Sequence, residues 1–136
     1  MRILLAGGSG FLGRALTRSL TTSGHHVTIL TRGAVAPEAE SPSTSVRLVQ
    51  WDPDGHAGPW TRACASTDIV INLAGESIAA RRWTTARKVA LATSRVLPTQ
   101  SLVQYIEHAT ANDLRQRVRH RLRRRPRRRG NCRGHP

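Results

Sequence analysis

Three glycines near the N-terminus are spaced as in loops that bind phosphate groups. Gly7, Gly10 and Gly13 form a G-x-x-G-x-x-G motif between an apolar run, residues 2–6, and a stretch of helical periodicity. The first glycine allows a tight turn out of a strand, the second lets the backbone approach a phosphate, and the third lets the helix pack closely. The helix N-terminus then offers free N–H groups and a positive dipole end. In this context the motif predicts a phosphate-binding loop for a dinucleotide rather than a purely structural turn.

The residues at the end of the second predicted strand indicate whether the dinucleotide is NAD or NADP. Domains that select NAD usually carry Asp or Glu at this place, to bond the ribose 2′-hydroxyl. Here the residues are Thr31 and Arg32, and no acid is present. An arginine offers a planar, permanently charged fork suited to a 2′-phosphate, and Thr31 adds a hydroxyl. This favours NADP over NAD, the alternative being that Arg32 is a solvated loop arginine.

The fourth predicted strand ends with Leu73, Ala74 and Gly75, the last two of which are small. Ligands of parallel sheets bind outside the carboxyl ends of the strands, and small residues there leave room for adenosine or ribose. A plain strand-end turn would have the same composition, so that interpretation stays open.

Short apolar strands that alternate with helical patterns must position these residues. They predict an α/β fold, a partial Rossmann fold with a parallel sheet of order 3-2-1-4. Gly24 stands where a helix C-cap glycine belongs, and Pro98 is expected to end or kink a helix. The predicted strands are residues 2–6, 27–30, 46–51 and 68–75, and the later predicted helices are residues 84–97 and 99–109. The first predicted helix has one apolar side, made of Phe11, Leu12, Ala15, Leu16 and Leu20.

Length and composition limit the function classes. A chain of 136 residues is one domain at most and is short for both βαβαβ halves of a Rossmann domain. It has no run of 18 apolar residues, and its N-terminal apolar run is too short for a signal peptide, so a cytoplasmic protein is expected.

Cys64 and Cys132 stand alone in the sequence, so neither a metal site nor a disulfide is predicted.

Several separate motifs resemble one enzyme family and occur in the order that the family has. The resemblance joins residues 1 to about 110 to the extended short-chain dehydrogenase/reductases, in the nucleoside-diphosphate-sugar epimerase branch, and implies NADP(H) binding. The motifs are the glycine loop, Thr31-Arg32, Trp51-Asp52-Pro53, Asn72-Leu73-Ala74-Gly75-Glu76, Arg82-Trp83-Thr84 and Ser94-Arg95-Val96. Arg95 would also suit a surface helix. The expected cofactor-binding residues are Gly7, Gly10, Phe11, Leu12, Gly13, Thr31, Arg32, Leu73, Ala74, Gly75 and Arg95.

The family's catalytic group is a tyrosine, usually with a lysine four residues later, and this sequence departs from that pattern. Tyr105 is the only tyrosine, it falls in a predicted helix, and Ala109 stands four residues on. We therefore expect Tyr105 to be a packed or surface helix residue, and we expect no catalytic residue in the chain. No fifth strand is predicted either, which leaves the fourth strand at an open apolar edge and predicts self-association.

The charge divides the chain into a half-domain over residues 1–110 and an arginine-rich segment over residues 111–136. All eight acidic and eleven basic residues precede residue 114, and eleven arginines with no acid follow. Such a segment is expected to be disordered in isolation. One hypothesis is an arm that binds nucleic acid without sequence preference, which makes the chain a nucleotide-binding module with such an arm. The favoured hypothesis is an out-of-frame translation, because 21 of the 22 basic residues are arginine.

Overall fold

The structure, a computed structural model, describes residues 1–35, 45–78 and 82–123, and from residue 113 onward only the course of the backbone. The chain alternates strands and helices, as the sequence predicts. The elements are strand β1 (Arg2–Ala6), helix α1 (Phe11–Thr22), strand β2 (His26–Thr31), strand β3 (Val46–Gln50), a 3-10 helix (Pro59–Cys64), strand β4 (Ile69–Asn72) and helix α2 (Thr85–Arg123).

The four strands form one parallel sheet in the order β3-β2-β1-β4, which confirms the predicted partial Rossmann fold and strand order. β1 lies between two neighbours and is buried on both faces from Ile3 to Ala6. Ala6 pairs with Leu30 on one side and with Asn72 on the other. The carboxyl ends of β1, β2 and β4 therefore lie level, so the loops that follow them leave the sheet at the same edge.

Apolar side chains cover the two faces of the sheet. On one face Leu5, Val27 and Ile29 pack against Leu16 and Leu20 of α1. On the other face the 3-10 helix and α2 cover the sheet. The buried residues of this second cluster are Leu4, Ala6, Leu30, Val49, Trp51, Trp60, Cys64, Leu102 and Tyr105.

Three aromatic rings stack within the second cluster. The Trp51 and Trp60 rings meet edge to face at 5.5 Å between centroids, and Tyr105 lies 5.5 Å from Trp60 in a tilted arrangement. Each ring comes from a different element, namely the end of β3, the 3-10 helix and α2. The stack therefore fixes the position of α2 relative to the end of β3. The 3-10 helix was not predicted, because its residues carry no periodicity longer than one or two turns.

The buried side of α1 differs from the predicted one. Phe11 is 83 % exposed, Leu12 is 65 % exposed and Ala15 is also exposed, so the prediction that these three face the core is wrong. Gly13 takes the inward place instead, because the first turn of the helix lies against the glycine loop rather than the sheet. The buried side runs from Gly13 to Leu16 and Leu20.

Helix α1 ends as its sequence predicts. Gly24 has a φ of 78°, its N–H donates to the carbonyl of Thr21, and the N–H of His25 donates to the carbonyl of Leu20. This pair of bonds satisfies two of the last carbonyls of the helix and turns the chain toward β2.

Helix α2 is one continuous element, and it replaces the two predicted helices. Pro98 lies inside it, since the proline removes only one backbone donor and the helix is packed on both sides of it through the buried Leu91 and Leu102. The helix continues to Arg123, so residues 111–123 of the segment predicted to be a disordered tail are helical here. Residues 124–136 of that segment lie outside the described residues. Nucleic-acid binding and an out-of-frame origin stay predictions for the whole of residues 111–136.

β4 is the outer strand on its side of the part of the sheet that the structure describes. Its residues Ile69, Val70 and Ile71 are half-buried and pair with β1 alone. Self-association through this edge stays a prediction. Among the helices of the described ranges, none combines the length and the apolar character needed to cross a membrane.

Candidate functional site

A cavity of about 480 Å³ lies at the carboxyl edge of the sheet. Its walls come from all four strand ends and from α2, because the level ends of the strands release their loops on one side. This volume is within the range of small-molecule and cofactor sites. The lining residues are Gly7, Ser9, Gly10, Leu30, Thr31, Arg32, Trp51, Asp52, Pro53, Leu73, Ala74, Gly75, Glu76, Ala90, Thr93, Ser94, Leu97 and Pro98.

The glycine loop is held by contacts that no side chain would permit. Gly7 has a φ of 80°, and a Cβ atom there would lie 2.5 Å from the carbonyl carbon and oxygen of Leu73. A Cβ at Gly13 would lie 2.3 Å from the carbonyl oxygen of Gly7. Glycine at these two positions lets the end of β4 and the start of α1 both close on the loop.

The N-terminus of α1 is directed at this cavity without a cap of its own. Gly10 is the N-cap, no side chain of the described residues caps the free N–H groups, and no acidic residue stands in the first turn. Arg14 donates from its guanidinium to the carbonyl of Ser9 at 3.1 Å, which holds the loop in place. An uncapped helix start with glycine at the approach is a backbone site for an anion.

The end of β2 contributes the residues predicted to select the cofactor. The Thr31 hydroxyl accepts from the N–H of Gly33 at 3.2 Å and keeps its own hydrogen available to donate. Arg32 is exposed at the cavity wall, and its guanidinium makes no hydrogen bond or ion pair with the residues that the structure describes. Both side chains could reach the phosphate of a ribose bound at the end of β2.

The predicted set is partly brought together at the cavity. Seven of its members line the walls, while the side chains of Phe11 and Leu12 are exposed to solvent, Gly13 packs against the loop backbone, and Arg95 lies behind the wall. For Phe11 and Leu12 only the backbone N–H groups at the helix start can serve an anion. The seven lining members are Gly7, Gly10, Thr31, Arg32, Leu73, Ala74 and Gly75.

The residues after β3, Trp51, Asp52 and Pro53, form another wall of the cavity. The sequence pointed to them only through their resemblance to a family motif. The turn that follows these residues is tied to α2, since the N–H of Gly55 donates to the hydroxyl of Ser101 at 3.0 Å. Gln104 exchanges two further bonds with this turn, at Gly55 and Ala57. The turn residues at 52–55 mark a loop in the sequence, but nothing local indicates its partners forty-odd residues later.

Tyr105 is a packed helix residue, as the sequence predicts. Its hydroxyl is buried and donates to the carbonyl of Cys64, well inside the second cluster. Burial raises the pKa of the Tyr105 hydroxyl above its ordinary value. Burial likewise raises the pKa of the Cys64 thiol to about 11, although the nearby Arg47 guanidinium lowers it in part. Both groups are therefore neutral at physiological pH.

Comparison with known proteins agrees with this geometry. The model of the NAD dependent epimerase/dehydratase family matches residues 3–119. An epimerase family protein of Bacillus subtilis is 39% identical over 107 residues, which cover 79% of this chain and 33% of the relative. One of Staphylococcus haemolyticus is 36% identical over 102 residues, which cover 75% and 31%.

A solved structure gives the same result. The human epimerase family protein SDR39U1, crystallised with NADPH, is 34% identical, has a TM-score of 0.58 and is matched over 79% of this chain and 32% of its own. The present chain thus spans about a third of the length of the relatives that it matches. The glycine loop, the parallel sheet of order 3-2-1-4 and the family match together place this chain in the NAD-dependent epimerase/dehydratase family.

Proposed function

We propose that these residues are the NADP-binding portion of an NAD(P)-dependent, epimerase-like protein. The observation that carries the proposal is Arg32, whose guanidinium stands in the cavity wall at the end of β2 with no partner among the described residues. Neither Thr31 nor Arg32 is an acid that could receive a ribose 2′-hydroxyl. The backbone fits a dinucleotide, since the glycine contacts and the uncapped start of α1 form a pyrophosphate cradle. The presence of NADPH in the human relative supports the same assignment.

The cofactor and the residues around it would have separate roles. The cofactor supplies hydride transfer when it is bound. The glycine loop binds and orients the pyrophosphate, and Arg32 with Thr31 binds the 2′-phosphate. The small residues Ala74 and Gly75 leave room for the ribose beside β4.

We further infer that these 136 residues bind the cofactor without supplying the acid–base group. Tyr105 is their only tyrosine, and its hydroxyl is committed to a backbone carbonyl in the core. Replacing Tyr105 with Phe should lower the free energy of unfolding by about 1 kcal/mol, the value of one hydrogen bond, and leave NADPH affinity unchanged. A clear loss of NADPH affinity in a stably folded Tyr105→Phe variant would contradict this inference.

The test of the cofactor assignment is titration of the full chain with NADPH and NADH, followed by fluorescence. Arg32→Ala should weaken NADPH binding by about 1.5–3 kcal/mol, because a charge-assisted bond is lost, and should leave NADH binding unchanged. Arg18→Ala, at an exposed position of α1 away from the cavity, is the matched control. Equal losses for both dinucleotides, or no loss for NADPH, would refute the selection of NADP by Arg32.

A further inference from the structure

The segment that follows β4, residues 73–77, is held in place mainly by hydrogen bonds to other parts of the chain. It forms one wall of the cavity through Leu73, Ala74, Gly75 and Glu76, yet it belongs to neither a helix nor a strand. A wall of irregular backbone keeps its shape only if its polar groups have fixed partners. The N–H groups of Leu73 and Ala74 bond Ala6 and Asn72 at the end of the sheet. The partners of the next part, Glu76 and Ser77, come from helix α2.

Arg95 makes the central contact. One guanidinium nitrogen donates to the carbonyl of Glu76 at 3.1 Å, and the other donates to the carbonyl of Leu91 in the preceding turn of α2 at 2.8 Å. The side chain thus joins the segment to the helix through two backbone acceptors. A Cβ atom at Gly75 would lie 3.3 Å from the Arg95 side chain, so the arginine packs directly behind the wall.

Neighbouring turns of α2 hold the same segment. The N–H of Glu76 donates to the Ser94 hydroxyl at 3.0 Å. Arg87 pairs with the Glu76 carboxylate and donates to the carbonyl of Ser77 at 2.6 Å. The N–H, the carbonyl and one carboxylate oxygen of Glu76 thus all bond α2, and Arg95 provides the bond to the carbonyl.

We propose that Arg95 is a positioning residue of the cofactor wall and acts on the cofactor only through the backbone of residues 73–77. This rests on the proposed function for the identity of the ligand. Arg95 does not line the cavity, and each of its terminal nitrogens donates to a backbone carbonyl, which holds the guanidinium against the segment rather than in the space that a cofactor would fill. It thus differs from Arg32, whose guanidinium lines the cavity and has no partner among the described residues.

Two substitutions separate these roles. Arg95→Met keeps the packed stem and removes both bonds to carbonyl oxygens, and Arg95→Lys keeps the charge but replaces the two-nitrogen fork by a single ammonium. Because Arg95 is exposed to solvent apart from these bonds, both variants should fold. Arg18→Met, on the exposed side of α1, is the matched control.

The first measurement is hydrogen exchange of the full chain without ligand. Losing one bond should speed exchange at Glu76 and its neighbours by roughly three- to tenfold in Arg95→Met, with Arg95→Lys in between and the control unchanged. Exchange at Glu76 that is the same in Arg95→Met and the unmodified chain would overturn the proposal. This measurement decides the question even if the chain binds neither dinucleotide, a result that would refute the proposed function alone.

The second measurement is the affinity for NADPH and for NADH over a series of salt concentrations. A positioning role predicts that Arg95→Met weakens both dinucleotides by the same factor, roughly three- to tenfold, with an unchanged salt dependence. A loss confined to NADPH, or a flatter salt dependence, would show a direct charge contact with the cofactor and overturn the proposal.

Discussion

Two walls of the same cavity are built on different principles. The glycine loop, residues 7–13, is shaped by backbone contacts within its own neighbourhood and with the end of β4. The wall made by residues 51–57 and 73–77 is held by side chains of α2, through Ser101, Gln104 and Arg95. The first wall depends on the absence of side chains, and the second depends on hydrogen bonds between distant parts of the chain. We therefore expect substitutions in the first wall to act by steric exclusion and substitutions in the second to act in smaller, graded steps.

The largest effect is expected at Gly13. A Cβ atom there would lie 2.3 Å from the Gly7 carbonyl oxygen and 2.6 Å from the Gly8 Cα, and backbone atoms cannot move aside as a side chain can. Gly13→Ala should lower the free energy of unfolding by about 3 kcal/mol and abolish dinucleotide binding. Denaturant titration checks the first effect, and ligand titration checks the second. Gly33→Ala is the control, since the nearest atom to a Cβ there lies at 3.7 Å, and it should be nearly neutral.

The second effect tests the wall held by α2. Ser101 is fully buried, and its hydroxyl accepts the Gly55 N–H. Ser101→Ala should lower the free energy of unfolding by about 1–2 kcal/mol, because a buried donor loses its partner. Dinucleotide binding should weaken without being abolished. Gln100→Ala, exposed on the neighbouring position, should change the free energy of unfolding by less than about 0.5 kcal/mol. If Gly13→Ala proved milder than Ser101→Ala, the contrast between the two walls would be wrong.

A third, smaller effect concerns the exposed end of β4. The Asn72 side chain donates to the Thr99 hydroxyl at 3.0 Å and accepts from the N–H of Ala74 at 3.0 Å. Thr99→Val removes one of these bonds at a solvated place. The free energy of unfolding should fall by about 0.5 kcal/mol, within reach of a careful thermal comparison. A loss above about 2 kcal/mol would mean that this end of the wall is far less solvated than its exposure indicates.

The last effect lies behind the walls and is seen only at alkaline pH. The Cys64 thiol has an ordinary pKa of 9.0 and a folded-state pKa of about 11, because burial disfavours its charged form. Its contribution to stability is fully present below pH 9 and is lost as pH rises through 11. Denaturant titrations from pH 8 to 11 should therefore show a steeper fall in the unmodified chain than in Cys64→Ala. The residual slope in that variant should include Tyr105, whose pKa burial also raises. Equal slopes in the two chains would contradict the assignment.

The same contrast explains what the sequence could predict. The sheet order, the glycine loop and the Gly24 cap follow from patterns within a few residues, and the structure confirms them. The continuity of α2 through Pro98 does not follow, because packing of a buried proline overrides a local rule. The inward face of α1 was misjudged for Phe11 because hydrophobicity alone does not show that a glycine takes the inward place.

The hydrogen bonds that hold the second wall could not be predicted from local sequence patterns. Ser101 and Arg95 read as ordinary helix residues, and their partners Gly55 and Glu76 lie 46 and 19 positions away. Only the folded arrangement of β3, β4 and α2 shows that these groups meet. The resemblance to the family implied that Arg95 contacts the cofactor and did not indicate its bond to the carbonyl of Glu76.

The aromatic stack gives the molecule an optical property. Trp51 borders the cavity while its ring touches Trp60, so a bound reduced nicotinamide would receive energy transferred from a rigid pair of indoles. Excitation of tryptophan should then produce cofactor emission when the cavity is filled. Trp83 is 62 % exposed and adds a background signal, which Trp83→Phe would remove. The cavity would thus reveal by its own fluorescence when it is filled.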